Sequence, residues 1–209
     1  MVTLQNIGAT RQLCRTIALD RCGLGGVHLQ PSGPIACLDA AYSDVSASAA
    51  CVLFSTWSAG TPLRTLTSRQ GAPTAYEPGS FYKMELPLLL AVLKKVERLP
   101  AMIIIDGYVW LDAHHRPGLG AILHEVLAKR VPVVGVAKTV FGDALSWCIP
   151  VVRGVSRRPL FVTAAGINAE EAAKGVQGMH GPHRIPTLLK LVDSAAHDAV
   201  AEELRGRNP

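Results

Sequence analysis

The sequence predicts an α/β fold with a mixed sheet, in which three antiparallel strands are followed by parallel strands and helices flank the sheet. Two observations lead to this prediction. Strand-like segments at 34–43, 47–58 and 62–70 follow one another with only short Ser, Asp, Gly and Pro breaks, as in an antiparallel meander. Later in the chain, the apolar runs at 101–106 and 131–138 alternate with helical segments, which is typical of parallel strands covered on both faces.

The helices are predicted from apolar residues at helical spacing and from signals at their ends. Asn168, with Glu170 and Glu171 shortly after it, is a typical helix start because its side chain can accept a backbone N–H bond. Two further strand candidates, SWCIPVVRG and RPLFVTAAG, flank a VSRR turn. The predicted helices cover about the first thirty residues, then 82–99, 118–130, 168–176 and 186–206.

Composition sets broad limits on the class of protein. The 209 residues, 49% hydrophobic and 18% charged, suffice for one domain with a large core, which we expect to span 1–209. The formal net charge of +5 fits a nucleic-acid partner without requiring one. Five scattered cysteines without C-x-x-C spacing, and no apolar signal segment, lead us to expect reduced thiols and a cytoplasmic location. No apolar stretch approaches the ~18 residues of a membrane span, so we expect no membrane partner.

Two aspartates stand where a buried strand would not normally tolerate a charge. Asp106 ends the apolar run Ile103–Ile105, and Asp39 lies inside the buried segment IACLDAAY. A carboxylate in such a place must pair with a cation or face a polar cleft. If the two strands are neighbours, both acids share one sheet edge, and a divalent metal such as Mg²⁺ would relieve their repulsion. The alternative is that each is only a turn or helix-capping residue.

Five motifs, in order over about residues 34–200, resemble those of the Endonuclease V family of inosine-directed nucleases. They are IACLDAAYSD, AYEPGSFYKMELP, IIIDG, VPVVGVAK and RIPTLLKLVD. The resemblance implies a ribonuclease-H-like fold and a Mg²⁺-dependent endonuclease, with Mn²⁺ as a substitute ion. It further implies a DNA-repair enzyme, monomeric, that hydrolyses a phosphodiester on the 3′ side of deoxyinosine and leaves 3′-hydroxyl and 5′-phosphate ends.

The resemblance also carries catalytic roles onto particular residues. Four acids match the family pattern, and Asp39 with Asp106 would bind the ion jointly while Glu85 and Asp193 complete a site for one or two ions. In this interpretation the metal ligands proper are Asp39, Asp106 and Glu85. Lys138, which ends the VVGVAK strand, would neutralise charge on the phosphate or orient the attacking water.

Other residues are predicted to contact nucleic acid. Tyr76, Pro78 and Gly79 match a family loop that acts as a wedge and fills the space left by a flipped base, where an aromatic ring replaces lost stacking. Gly107, beside a metal acid, would allow close approach of the backbone to the base or its phosphate. Arginines and lysines near 64–69, 83, 94–98 and 153–158 are candidates for phosphate contacts, although such residues are usually solvated.

The chain departs from the family pattern after the IIIDG motif. Tyr108 stands where a histidine is expected, and the segment 108–118 supplies His114 and His115 at altered spacing instead. Either histidine would lie near the reacting oxygens, or both are exposed loop residues. Two alternatives therefore stay open: a ribonuclease-H-like nuclease that acts on inosine-containing RNA or structured nucleic acid, and a non-catalytic nucleic-acid-binding homologue.

Overall fold

Seven strands form one mixed sheet in the computed structural model of the protein, which describes residues 33–71, 81–142 and 146–206. Across the sheet the strands follow the order β3-β2-β1-β4-β5-β7-β6. Their bounds, in chain order, are β1 (Ile35–Tyr42), β2 (Ser46–Phe54), β3 (Arg64–Gly71), β4 (Met102–Asp106), β5 (Val133–Ala137), β6 (Ile149–Val151) and β7 (Leu160–Ala165).

Helices cover both faces of this sheet. Within the described residues they are α1 (Phe81–Leu93), α2 (Leu119–Val126), α3 (Ala169–Gln177) and α4 (Thr187–Gly206). The apolar sides of α1 and α2 join one core cluster, and those of α3 and α4 join another on the opposite face. The predicted start of α3 is confirmed, because the Asn168 side chain accepts a 3.0 Å hydrogen bond from the backbone N–H of Glu171.

The central strands are buried on both faces, which explains their unbroken apolar sequences. In β4, Ile103 and Ile105 pack into the α1–α2 core, whereas Ile104 packs into the α3–α4 core. The side chains of β1 alternate in the same way: Leu38 packs into the α1–α2 core and Cys37 into the α3–α4 core. Because successive side chains of a strand point to opposite faces, every second residue of β1, β4 and β5 points toward α4.

The predicted fold class is confirmed, with one difference in the last strands. β1, β2 and β3 pair in antiparallel fashion, and β4 and β5 run parallel to β1. However, β7 pairs with β5 antiparallel, and β6 pairs with β7 antiparallel. Parallel neighbours need a crossover, usually a helix. The described part of the connection between β5 and β7 contains β6 and no α-helix, and the chain reverses direction before β7.

Several element ends differ from the prediction. The helix predicted over 118–130 ends at Val126, because Ala128 and Lys129 take positive φ angles of 54° and 58°. The helix predicted over 82–99 ends at Leu93, where tighter backbone bonds replace the helical pattern. The second strand ends at Phe54 and not at 58. The predicted first helix lies outside the described residues.

Two further expectations concern cysteines and membranes. Cys37, Cys51 and Cys148 are buried free thiols. Among the described helices, none combines the length and the apolar character that crossing a membrane requires.

Candidate metal centre

The carboxyl ends of the parallel strands bring two acids together. In the pairing of β1 with β4, Leu38 lies opposite Ile105, so the residues that follow them, Asp39 and Asp106, are neighbours across the sheet. Lys138 directly follows β5, which pairs with β4 on the other side. The strand alternation directs all three side chains toward the face that α4 covers.

A third acid reaches this edge from α4, which packs against β1 and β2. One carboxylate oxygen from each of Asp39, Asp106 and Asp193 lies within 4.8 Å of the other two. The Lys138 ammonium lies between two of them, with Nζ at 2.7 Å from Asp106 Oδ2 and at 2.9 Å from Asp193 Oδ1. Residues far apart in the chain thus converge on one cluster of four charged groups.

Glu85 approaches the cluster from the opposite face of the sheet. It lies on α1 and is only 9% exposed. Burial, followed by the negative charges of Asp39 and Asp106, raises the pKa of Glu85 to about 8. The Glu85 carboxylate is therefore close enough to interact with these acids. It is not one of the three groups that lie within 4.8 Å of one another.

The charge balance of the cluster favours a cation. Burial and the charge of Asp106 raise the pKa of Asp39 to about 6, because its ionised form is both desolvated and repelled. Burial alone would lower the pKa of Lys138, but hydrogen bonds to Asp106 and Asp193 outweigh burial and raise it. One ammonium group thus faces four carboxyl groups. Hard divalent cations prefer such sets of carboxylate oxygens, so the residues fit a metal ion.

The repulsion within the cluster has a consequence for stability. In the metal-free protein, an acid whose pKa is raised by folding binds more protons in the folded than in the unfolded state. The free energy of unfolding therefore falls as pH rises from about 4.5, the ordinary value for Glu85, to about 8. We expect Glu85→Gln to remove most of this fall, and to raise the melting temperature at pH 8 by about 3 °C or more.

Thermal unfolding at pH 5 and pH 8, in chelator, measures this effect. Glu125→Gln is the matched control, because Glu125 is exposed and only pairs with Lys129 on the surface of α2. A Glu85→Gln protein that is no more stable than wild type at pH 8 would show that Glu85 is not destabilised by burial beside the other acids. Added Mg²⁺ should stabilise wild type more than Glu85→Gln.

The segment that follows Asp106 is held close to β5 and β7. Gly107 has a φ of +120°, which favours glycine, and a side chain placed there would meet only open space. A Cβ on Gly135 would lie 2.6 Å from the Gly107 carbonyl oxygen, so β5 needs glycine at that position. The backbone N–H of Val109 donates a 2.8 Å bond to the Thr163 hydroxyl. The backbone at Gly107 is therefore both fixed and accessible.

Tyr108, which replaces the expected histidine, turns away into an aromatic group. Its ring lies 5.1 Å from that of Trp147 and 6.3 Å from that of Phe141. Its hydroxyl donates a 2.8 Å hydrogen bond to the carbonyl of Thr139, just after Lys138. Tyr108 therefore links the segment that follows Asp106 to the segment that follows Lys138.

The two histidines of the altered segment lie apart from the acids. His114 and His115 are exposed, and neither imidazole is among the groups that could share a metal within the described residues. His115 packs its ring 4.9 Å from that of Trp110. The backbone N–H of His114 donates to the Asp112 carboxylate. Tyr76, Pro78 and Gly79 lie outside the described residues.

Two arginines make contacts that the sequence did not predict: Arg153, which belonged to a stretch expected to contact phosphates, and Arg184, for which no contact was predicted. Arg153 is buried and Arg184 is half-buried. Among the described residues, the guanidinium of each donates to backbone carbonyls only, and that of Arg184 holds the carbonyl of Lys138. Arg184 belongs to the RIPTLLKLVD motif, and Arg153 lies in a basic stretch. The sequence showed the positive charge of both arginines but neither the burial of Arg153 nor the partners of either side chain.

The fold and the cluster together define the class of protein. A mixed sheet of this order, with acids on its two central parallel strands, is a ribonuclease-H-like fold that carries a candidate metal centre. A model of the Endonuclease V family matches residues 27–148, which is more than half of the sequence. The chain belongs to the Endonuclease V family.

Individual relatives agree with this assignment. The chain is similar to the Endonuclease V of Rhodospirillum centenum, with 34% identity over 151 residues. That match covers 63% of the chain and 62% of the relative's length. The chain therefore matches less than two thirds of this relative.

Solved structures show the fold over nearly the whole chain. The Endonuclease V of Streptomyces avermitilis superposes with a TM-score of 0.65 at 22% identity, covering 98% of this chain and 96% of that one. The Endonuclease V of Ciona intestinalis, solved in complex with a 24mer DNA containing an inosine followed by a ribo-adenosine, gives a TM-score of 0.59 at 18% identity. It covers 93% of this chain and 95% of its own.

Proposed function

We propose that the chain is a Mg²⁺-dependent endonuclease of DNA repair that hydrolyses the phosphodiester on the 3′ side of deoxyinosine. The products would be 3′-hydroxyl and 5′-phosphate ends. The observation that carries this proposal is the convergence of Asp39, Asp106 and Asp193 within 4.8 Å, in a chain of the Endonuclease V family. The inosine-containing DNA bound by the Ciona intestinalis relative supports the choice of substrate. A cytoplasmic location, a monomeric state and a single domain stay predictions.

Three aspartates would hold the ion in this proposal. Asp39, Asp106 and Asp193 present oxygens to one point, and Glu85 adds negative charge from the other face of the sheet. When bound, Mg²⁺ supplies positive charge that polarises the phosphate and activates water for an in-line displacement. A small cleft lined by Asp39, Asp106 and Lys138 opens at this edge, which supports placing the phosphate there.

Lys138 has a separate task in the reaction. Its ammonium group is charged at neutral pH, as lysine ordinarily is, and Asp106 and Asp193 outweigh the effect of burial and raise its pKa. It is held by two bonds at the edge where the phosphate would lie, so it needs little rearrangement before it can act. A fixed cation at that position stabilises the negative charge that builds on the phosphate oxygens during displacement.

Recognition of the lesion is assigned to the loops around the cleft. Tyr76, with Pro78 and Gly79, would fill the space that the flipped base leaves in the stack. The accessible backbone at Gly107 would contact the base or its phosphate, as its positive φ and open surroundings permit. His114 and His115, exposed on the next loop, would contact the nucleic acid from outside the metal cluster.

Cleavage of defined duplexes tests the proposal. A labelled duplex with one deoxyinosine should be nicked one phosphodiester beyond the lesion on its 3′ side, in Mg²⁺ or Mn²⁺ but not in chelator. The matched control carries adenine at the same position and should stay intact. Equal cutting of the control, or binding without cutting in both metals, would contradict the proposal.

A second arm distinguishes DNA from RNA as the preferred substrate. The same duplex with a ribo-adenosine after the inosine, and a single-stranded RNA with one inosine, are compared at equal concentrations. The ribo-adenosine in the Ciona intestinalis complex motivates this arm. Faster cleavage of the RNA than of the deoxyinosine duplex would replace the DNA-repair assignment with the RNA alternative.

A further inference from the structure

The loop between β6 and β7, residues 152–159, projects beside the metal cluster. Val155 at its tip is fully exposed, and Arg157 and Arg158 next to it are exposed as well. The loop leads directly into Leu160, the first residue of β7, which lines the same cleft as Asp106. The exposed arginines therefore lie on a segment that borders the proposed phosphate site.

Arg153 anchors one end of this loop in the interior. It is 6% exposed, and within the part of the chain that the structure describes its guanidinium donates only to backbone carbonyl groups. These groups belong to the end of α3 and to the segment that leads into α4. They are the carbonyls of Gln177, Met179, Gly181, His183 and Arg184. A guanidinium has a rigid fork of N–H donors, so this one group fixes the loop against the whole 177–184 segment.

Arg184 joins the other end of the loop to the metal cluster. Its guanidinium donates to the carbonyls of Arg158 at 3.1 Å and Pro159 at 2.9 Å. The same guanidinium donates to the carbonyl of Lys138, whose ammonium pairs with Asp106. One side chain thus holds the exposed arginine loop and the catalytic lysine in a fixed relative position.

The positive charge of this region is not cancelled. Carbonyl groups accept hydrogen bonds without neutralising a guanidinium, so both anchoring arginines keep their charge. Some exposed arginines elsewhere pair with carboxylates, as Arg64 does with Glu97 and Arg69 with Glu202. Arg157 and Arg158 have no carboxylate partner among the described residues.

The sequence around the loop shows the same imbalance. Residues 144–192 contain six Lys and Arg but only two acids, Glu170 and Glu171. Both acids lie at the start of α3, whereas Arg153 holds the end of that helix. A surface with fixed shape and uncancelled positive charge is complementary to the phosphates of a nucleic-acid strand.

We infer that the 152–159 loop is a preorganised phosphate-binding ridge, on which Arg157 and Arg158 contact the DNA backbone beyond the phosphodiester that is cut. The ridge would hold the strand in register with the metal cluster and would carry no sequence information. This inference rests on the proposed function for the identity of the substrate. It adds a binding surface that is outside the acid cluster and the Tyr76 loop.

The salt dependence of DNA binding tests the ridge. Binding of an inosine-free duplex is measured in chelator at salt concentrations from about 50 to about 200 mM. For Arg157→Ala/Arg158→Ala we expect affinity at low salt to fall about tenfold or more. The slope of log affinity against log salt should become shallower by about 1.8, because each lost phosphate contact contributes about 0.9.

Two variants serve as matched controls. Arg98→Ala/Arg130→Ala removes the same charge. Arg98 was a candidate for phosphate contact from the sequence, but in the structure both exposed arginines precede β4 and β5, at the ends of the strands opposite the cluster. It should leave the slope unchanged. Arg157→Lys/Arg158→Lys retains the charge and should restore most of the slope. With the deoxyinosine duplex, Arg157→Ala/Arg158→Ala should raise KM and leave kcat within about twofold of wild type.

The measured salt slopes and kinetic constants either uphold or overturn the phosphate-binding ridge. Equal slopes for the Arg157/Arg158 and Arg98/Arg130 double variants would overturn the ridge, as would loss of kcat at unchanged KM. Because the binding assay needs neither a lesion nor a metal, the ridge can be upheld even if wild type fails to cut deoxyinosine. Failure of wild type to cut the deoxyinosine duplex would reject only the proposed function.

Discussion

Asp106→Asn is expected to lower kcat on the deoxyinosine duplex by about 10³-fold or more, with the fold intact. Asparagine has nearly the same size, so packing at the end of β4 is retained. The change removes one of three carboxylates that converge within 4.8 Å, and it removes the charge that holds Lys138 Nζ at 2.7 Å. In the proposed mechanism the ion would lose one ligand, and the Lys138 ammonium would lose one of its two carboxylate partners. Single-turnover cleavage at saturating Mg²⁺ measures the effect.

Asp198→Asn is the matched control for this prediction. Asp198 lies on α4, the helix that carries Asp193, but it is exposed and takes no part in the three-acid cluster. Its substitution should leave both turnover and melting temperature close to wild type. Turnover of Asp106→Asn within tenfold of wild type would contradict the proposed mechanism.

Arg153→Met is expected to reduce the free energy of unfolding by about 3 kcal/mol or more. Methionine can occupy the space of the arginine stem, so a cavity is not the main cause. The loss comes from five carbonyl groups between Gln177 and Arg184 that share one buried donor group. Without the guanidinium, the carbonyl of the buried Met179 and four half-buried carbonyls would lose this partner. Urea unfolding, monitored by tryptophan fluorescence, measures the change.

Arg157→Met is the control for stability, because Arg157 lies on the same loop but is exposed. It should change the free energy of unfolding by no more than about 0.5 kcal/mol. A loss below about 1 kcal/mol for Arg153→Met would show that water replaces the guanidinium at these carbonyls. The 177–184 segment would then not depend on Arg153 for its position.

Much of the fold could be predicted from the sequence because its signals are local. The apolar runs of β4 and β5 are buried on both faces, and such runs are typical of parallel strands. The proximity of Asp39 and Asp106 followed from the same pattern, since both stand late in neighbouring parallel strands. The Asn168 cap was likewise visible, because a helix start depends on residues within one turn.

The rest depends on contacts between distant segments. That Asp193, and not Glu85, completes the closest group of three acids follows from how α4 crosses the sheet, which local pattern does not specify. The antiparallel direction of β7 relative to β5 depends on the lack of a crossover helix in the described part of the connection between them. Arg153 has the sequence signature of any basic loop residue, and only the folded chain shows that it is buried among carbonyls.

Titration of Mn²⁺ into the protein, followed by the loss of free-ion paramagnetic resonance, tests most directly whether the aspartates form a metal site. Wild type should bind Mn²⁺, Mg²⁺ should compete for the same site, and Asp39→Asn and Asp193→Asn should each weaken binding by at least about tenfold. Asp198→Asn should bind as wild type does. Equal Mn²⁺ affinity in wild type, Asp39→Asn and Asp193→Asn would show that these carboxylates do not hold a metal ion together.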